Sequence, residues 1–339
     1  MRQTLLTILL IVLCLTNIFV GSVDIPFSET LHILSGQDSA TNPSWSYIIL
    51  QSRVPQMLTA LLCGAGLATA GLLLQTAFLN PLAGPSILGI DSGANMAVAI
   101  VMMFAGGTIT LMGTTLGGYF LVILAAMAGA MVIMTIIASL STLLKNPVML
   151  LVTGVMISYI TSSFISLLQF HTTEHGLQAY TFWGMGGFTG VTIERLPVFA
   201  GLMSICLVLS ILHIKPLDAI LLGDAYAQNL GVNTQHMNRR LFLIAGLITA
   251  TSTAFCGPIS FIGLATPHIA RMLCRTATHR TLMPTTMLLG ACICLVCNQL
   301  CTLPSSTTLP INTITPLFGV PVILWVILKR GVMVKRLKG

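Results

Sequence analysis

Charge is what this sequence has least of. Of 339 residues, 7% are Asp, Glu, Lys or Arg, eight of them acidic, and aromatic residues supply 6%. Soluble globular domains carry about 25% charged residues, so the chain cannot cover a water-facing surface of its size, and the soluble classes are excluded. No Lys is followed by Ser or Thr. The phosphate-cradling Gly-x4-Gly-Lys-[Ser/Thr] loop is therefore absent, and the chain cannot itself be a P-loop ATPase. Nor is there a basic stripe interleaved with aromatics, so the net charge of +7 is no nucleic-acid footprint.

What fills the space is apolar: 55% hydrophobic residues and a mean hydropathy of +0.95. A membrane span needs roughly 20 apolar residues. The long runs, separated by short polar or Pro/Gly punctuation, predict an all-α polytopic membrane protein of about ten helices, residues 1–339 forming one domain. Thr4 to Val20, preceded by Arg2 and followed by Gly21-Ser22, resembles a cleaved secretory signal but is read as an uncleaved first span, and Cys14 follows Leu13 and not the small residue a lipoprotein signal wants. With a cytoplasmic amino terminus and alternating spans, Arg2, Lys145, Lys215, Arg239, Arg240, the Arg271–Arg280 cluster and the Lys329–Lys338 cluster fall inside. Arg53 and Arg195 fall outside, as do Asp24, Glu29, Asp38, Glu174 and Glu194. That asymmetry satisfies the positive-inside rule and predicts both termini in the cytoplasm.

Arg53 to Asn95 places polar and helix-breaking residues inside otherwise lipid-compatible sequence. The helix after Arg53 carries Gly64, Ala65, Gly66, Ala68, Ala70 and Gly71. Small residues let membrane helices approach closely, so this is a packing signal; Gly113 and Gly117 form a GxxxG of the same kind. Asn80-Pro81 and Gly84-Pro85 then free backbone groups that lipid cannot satisfy, so the break must be buried in protein or line a cavity. Val148 to Phe170 predicts a helix with an unusually hydroxylated face: Thr153, Ser158, Thr161, Ser162, Ser163 and Ser166, with Gln169 beside them. Such a face serves interhelical hydrogen bonding, a polar path, or both.

Three stretches resemble the FecCD permeases, the membrane subunits of type II ABC importers for iron-siderophore complexes, haem and cobalamin. The first holds Arg53-Val54-Pro55-Gln56, Gln75, Asn80-Pro81-Leu82-Ala83-Gly84-Pro85 and Leu88-Gly89, with Gln56 where the family shows a second Arg. The second is Gly223 to Gly231, similar to the family's cytoplasmic coupling segment (about 217–238), with Tyr226 in place of a small residue. The third holds Phe261 to Arg271, His279-Arg280, Leu309-Pro310 and Gly319-Val320-Pro321. There Asn298 and Cys301-Thr302 replace an Asp and an outer-surface Arg.

The resemblance implies a bacterial inner-membrane permease working as a homodimer, with two ATP-binding subunits inside and one substrate-binding protein outside. ATP and Mg would bind the partner ATPase, and no cofactor this chain. It further implies a cytoplasmic gate at Asn80, Pro81 and Leu82, coupling to the ATPase through Gly223, Asp224, Ala227 and Gly231, and docking of the binding protein at Arg53. Gln75, Thr161, Ser162 and Ser166 are the expected pathway-lining residues. The substrate class stays open between ferric siderophore, haem and cobalamin, with an iron compound favoured on family frequency.

Two other classes compete. His171-Thr172-Thr173-Glu174-His175 is an H-x-x-E-H string, in which two His one helical turn apart bind Zn²⁺ and Glu is the general base; this would make a membrane metalloenzyme. An ion-coupled secondary carrier would use a carboxylate at membrane depth, for which Asp91 is the candidate, and His268 could relay protons. Cys294, Cys297 and Cys301 share one helical face, but in an apolar span they read as buried packing.

Overall fold

A computed structural model describes residues 2–37, 42–104, 108–111, 114–144, 147–303 and 308–338. Asp38, Gly113, Lys145 and Asn146 lie outside the described residues, as do the side chains beyond Trp325. The helices are α1 (Arg2–Phe19), α2 (Phe27–Leu34), α3 (Pro43–Tyr47), α4 (Val54–Ala77), α5 (Ile90–Ala99), α6 (Tyr119–Leu143), α7 (Pro147–His171) and α8 (Glu174–Gly184). They continue as α9 (Leu196–Leu212), α10 (Ile214–Ile220), α11 (Asp224–Asn229), α12 (Thr234–Cys256), α13 (Ile262–Cys274), α14 (His279–Thr302) and α15 (Ile311–Lys338). Six of the described helical segments are long and apolar enough to cross a membrane, or seven if α9 and α10, bent by 53° at the break between them, count as one span. The shorter apolar helices Ile90–Met103 and Ile311–Trp325 bring the apolar segments near the expected number of about ten.

The small residues place α4 at the centre. Every side chain from Cys63 to Thr76 is buried. A Cβ on Gly64 would stand 2.3 Å from the Gly290 carbonyl oxygen of α14, and one on Gly71 only 1.6 Å from that of Gly263 in α13. The backbones therefore touch where no side chain intervenes, which lets dispersion hold helices that lipid does not push together. Gly93 of α5 and Gly129 of α6 repeat the arrangement on the other side of the bundle.

Proline shapes the ends. Pro55 has no N–H to offer the Gln51 carbonyl, and the turn before it, Ile48–Arg53, widens into a π-helix that joins α3 to α4. Pro216 likewise cannot bond the Leu212 carbonyl, and the chain bends there.

Gly113 of the GxxxG run lies outside the described residues, while Thr114–Gly117 is a strand paired antiparallel with Thr108–Leu111, Thr108 opposite Gly117. Consecutive β-branched threonines favour the extended chain, and Gly118 then turns into α6 with φ +71°.

Candidate functional site

The break after α4 is an ordered turn at one end of the bundle. The Asn80 N–H donates to the Gln75 carbonyl and the Leu79 N–H to that of Thr76, both at 3.1 Å. This is the Schellman pattern that ends helices, whose left-handed position is usually glycine. Here it is Leu79, at φ +46°, a conformation costing a side-chain-bearing residue roughly 1–2 kcal/mol. Pro81 and Pro85 prevent the helix from continuing. The Asn80 side chain accepts from the Leu82 N–H at 3.0 Å, so the loop carries its own hydrogen bonds. Ala83 is fully buried, whereas Leu79 and Leu82 are exposed.

Helix α13 clamps this turn. His268 Nε2 donates to the Pro81 carbonyl at 2.7 Å, Gln75 Nε2 donates to the Leu264 carbonyl at 3.1 Å, and Arg271 donates to Gln75 Oε1. Phe261 and Arg275, at the two ends of α13, are left-handed like Leu79. All positive-φ non-glycine residues among the described residues thus flank this one assembly. Strained backbone persists where its surroundings over-determine it, and it concentrates at moving parts.

The segment Gly223 to Gly231 lies at the same end. Gly223 (φ +101°) opens α11, Asp224 stands in its first turn, and Gly231 (φ +81°) closes it with the Val232 N–H on the Ala227 carbonyl. Ala227 is buried toward α10 and α12, while Leu222, Tyr226 and Leu230 are exposed. A short, well-terminated helix with a mixed outer face, Asp224, Tyr226 and Gln228 exposed on it and Leu222 and Leu230 flanking it, is suited to docking as a rigid body. Asn233 then caps α12, accepting from the His236 N–H at 3.1 Å. Asp218 of α10 accepts from the backbone and ring of His279, and His279 meets Thr76 in the last turn of α4.

The remaining candidates fall elsewhere. Arg53 is 7% exposed and turned inward, donating to the carbonyls of Ile18, Phe19 and Val23 at the end of α1. These bonds tie the side chain to the end of α1 and the segment after it. Gln75 is 3% exposed with both ends of its amide engaged, so it forms part of the clamp. Thr161 is buried, Ser162 and Ser166 are exposed. The α7 hydroxyls of Thr153, Ser158, Thr161, Ser163 and Ser166 donate to carbonyls of their own helix, not to neighbouring helices. Asn298 is buried, its amide donating to Asn17 Oδ1 at 2.9 Å, which ties α14 to α1.

The H-x-x-E-H string is split. His171 ends α7, and Thr173 caps α8 through the Gly176 N–H, so the two His sit on different helices. The inverted zincin arrangement needs one continuous helix. Asp91 accepts from Ser86 at 2.8 Å and Thr253 at 3.0 Å, and lines a cavity of about 220 Å³ with Pro85, Phe261 and Leu264 beside the turn. A second cavity, about 330 Å³, lies at the opposite end among Met185, Phe188, Asn298 and Thr302.

Sequence reading missed Leu79, Thr76, Asp218 and the partners of His279. Asp218 did carry a signal, being an acid inside the apolar stretch between Pro216 and Leu221.

Comparison with known proteins gives a single direction. The model of the FecCD transport family matches residues 9–329. The hemin transport system permease protein HmuU of Yersinia pestis is 33% identical over 96% of this chain and 94% of its own length. The vitamin B12 import system permease protein BtuC of Klebsiella pneumoniae subsp. pneumoniae is 34% identical over 96% of this chain and 92% of its own. A solved transporter described as of metal-chelate ABC type, in an inward-facing conformation, superposes with a TM-score of 0.82 at 28% identity, covering 96% of this chain and 98% of its own.

Proposed function

The chain belongs to the FecCD transport family, a transport subunit and not an enzyme, and from that premise we propose that it is the membrane permease of an ATP-driven importer for an iron chelate, haem or a cobalamin-type substrate. Two copies form the path, two separate ATPase subunits supply the work, and a substrate-binding protein delivers cargo from outside. Both termini face the cytoplasm.

One observation carries the reading: the proline-broken turn at Asn80–Leu82 and the short helix Asp224–Asn229 lie at the same end of the bundle and are joined through α10 and α14. That end also gathers Arg2, Arg271 and Arg280, since the Arg2 side chain donates to the Leu273 carbonyl and Gln3 reaches Thr281. The positive-inside rule makes it the cytoplasmic end. A gate and a docking helix on the ATPase side of the membrane are what an ATP-driven importer needs.

The exposed face of α7 supports a paired protomer. Most of its described side chains are exposed or half-buried. Ser162, Ser163 and Ser166 lie there beside Tyr159, Phe164 and Leu167. A second copy across this face would give a wall of hydroxyls and apolar groups suited to a large amphipathic cargo.

The test is affinity purification of the tagged chain from native membranes in mild detergent, with its companions identified by mass spectrometry. Recovery of a P-loop ATPase supports the importer. Repeated recovery without one moves the function to a carrier.

A further inference from the structure

Asp218 lies on α10, six residues ahead of the Asp224 that opens α11. Its Oδ1 accepts twice from one residue, from the His279 backbone N–H at 2.6 Å and from His279 Nδ1 at 2.8 Å. His279 is the first residue of α14, and Thr278 at the N-cap makes no side-chain capping bond. Asp218 therefore caps α14 from another helix, where a carboxylate is favoured by the exposed N–H groups and the helix dipole. The imidazole is 1% exposed, and its other nitrogen lies 2.8 Å from the Thr76 hydroxyl. Thr76 stands four residues before Asn80. Its carbonyl accepts from the Leu79 N–H, so the same residue holds the end of the gate turn.

We infer that Asp218, His279 and Thr76 form the rigid link through which the coupling segment moves the inner gate, with His279 a positioning residue for both. The link rests on the importer reading above, in which α11 docks an ATPase. Its chemistry suits mechanical transmission. A buried imidazole with both nitrogens engaged cannot drop one partner without leaving a polar group unpaired in an apolar interior, which is costly. Rotation of α10, the start of α14 and the last turn of α4 as one body avoids that loss. Asp218 itself is 31% exposed, at the edge where α10 meets the docking helix. Gln75, one residue before Thr76, instead faces α13. The gate turn is therefore held from two directions, and the Thr76 side is the one that leads to the coupling segment.

The experiment uses the permease assembled with its ATPase subunits in lipid nanodiscs. Cys274, a half-buried thiol on α13, is replaced by Ser, and Leu82→Cys reports the gate through its labelling rate with a membrane-impermeant maleimide, with and without ATP and vanadate. In this parent, nucleotide changes the labelling rate. Thr76→Val, which removes one hydroxyl, and Asp218→Ala are expected to lose that nucleotide-dependent change while ATP hydrolysis per assembled complex continues. Thr76→Ser is expected to retain it. If both disrupting variants keep the change, or fail only by losing assembled complex, the three residues serve stability alone and the inference is overturned. If the parent hydrolyses ATP but its labelling ignores nucleotide, or if no ATPase assembles with it, the importer reading itself fails and the link with it.

Discussion

Helices α4 and α7 are nearly equal in length, 24 and 25 residues, and both are apolar enough to span a bilayer. Yet 18 of the 24 residues of α4 are buried, against four of the described residues of α7, Leu150, Leu151, Gly154 and Thr161. The difference lies in side-chain size, not hydropathy. Where α4 has glycine and alanine, neighbouring backbones close on it from several directions. Where α7 has Tyr159, Ile160, Phe164 and Leu167, its outer face stays open in the protomer. In a membrane, apolar character alone does not determine which helix goes inside, because lipid is as apolar as the core. The open helix is left for lipid or a second copy, and the closed one becomes the rigid axis on which the Asn80–Leu82 turn is mounted.

This contrast can be broken first at Gly71. Gly71→Ala forces a methyl into the Gly263 carbonyl, and the expected loss is about 3 kcal/mol or more, read as a lower melting temperature or a loss of folded protein in detergent. Gly154 is the tight point of α7, where a Cβ would stand 2.7 Å from Leu88 Cα. Gly154→Ala should cost less, about 1–2 kcal/mol, since the segment around Leu88 is a loop that can shift. Leu79→Gly should stabilise the turn after α4 by about 1 kcal/mol by relieving its left-handed strain, and should lower the uptake rate if opening draws on that strain. At the exposed end of the scale, Ser162→Leu should change protomer stability by less than about 0.5 kcal/mol while reducing uptake, if this face meets a second copy along the path. Leu82→Trp sharpens the functional side: assembly with the ATPase stays intact and uptake falls.

Much of this was legible in the residues. The glycine-rich run marked α4 as the packed helix, and Asn80-Pro81 marked the turn, because each follows from local backbone rules. The small termination helix around Gly231 follows from glycine's left-handed freedom. What the sequence hid is direction and distance. Arg53 was readable as an outer charge, but not as one facing inward onto the end of α1. Thr76 and His279 are separated by 203 residues and Asp218 and His279 by 61, so no periodicity joins them. The hydroxyls of α7 looked like interhelical partners, yet each can satisfy itself on the carbonyl one turn back, which a sequence pattern cannot distinguish.

The most direct test of the central claim is uptake of hemin and of vitamin B12 into proteoliposomes holding this chain with its co-purified ATPase and binding protein. The account predicts uptake that requires ATP and stops when the ATPase is inactivated. Uptake that proceeds without ATP and follows an imposed proton or sodium gradient would contradict it.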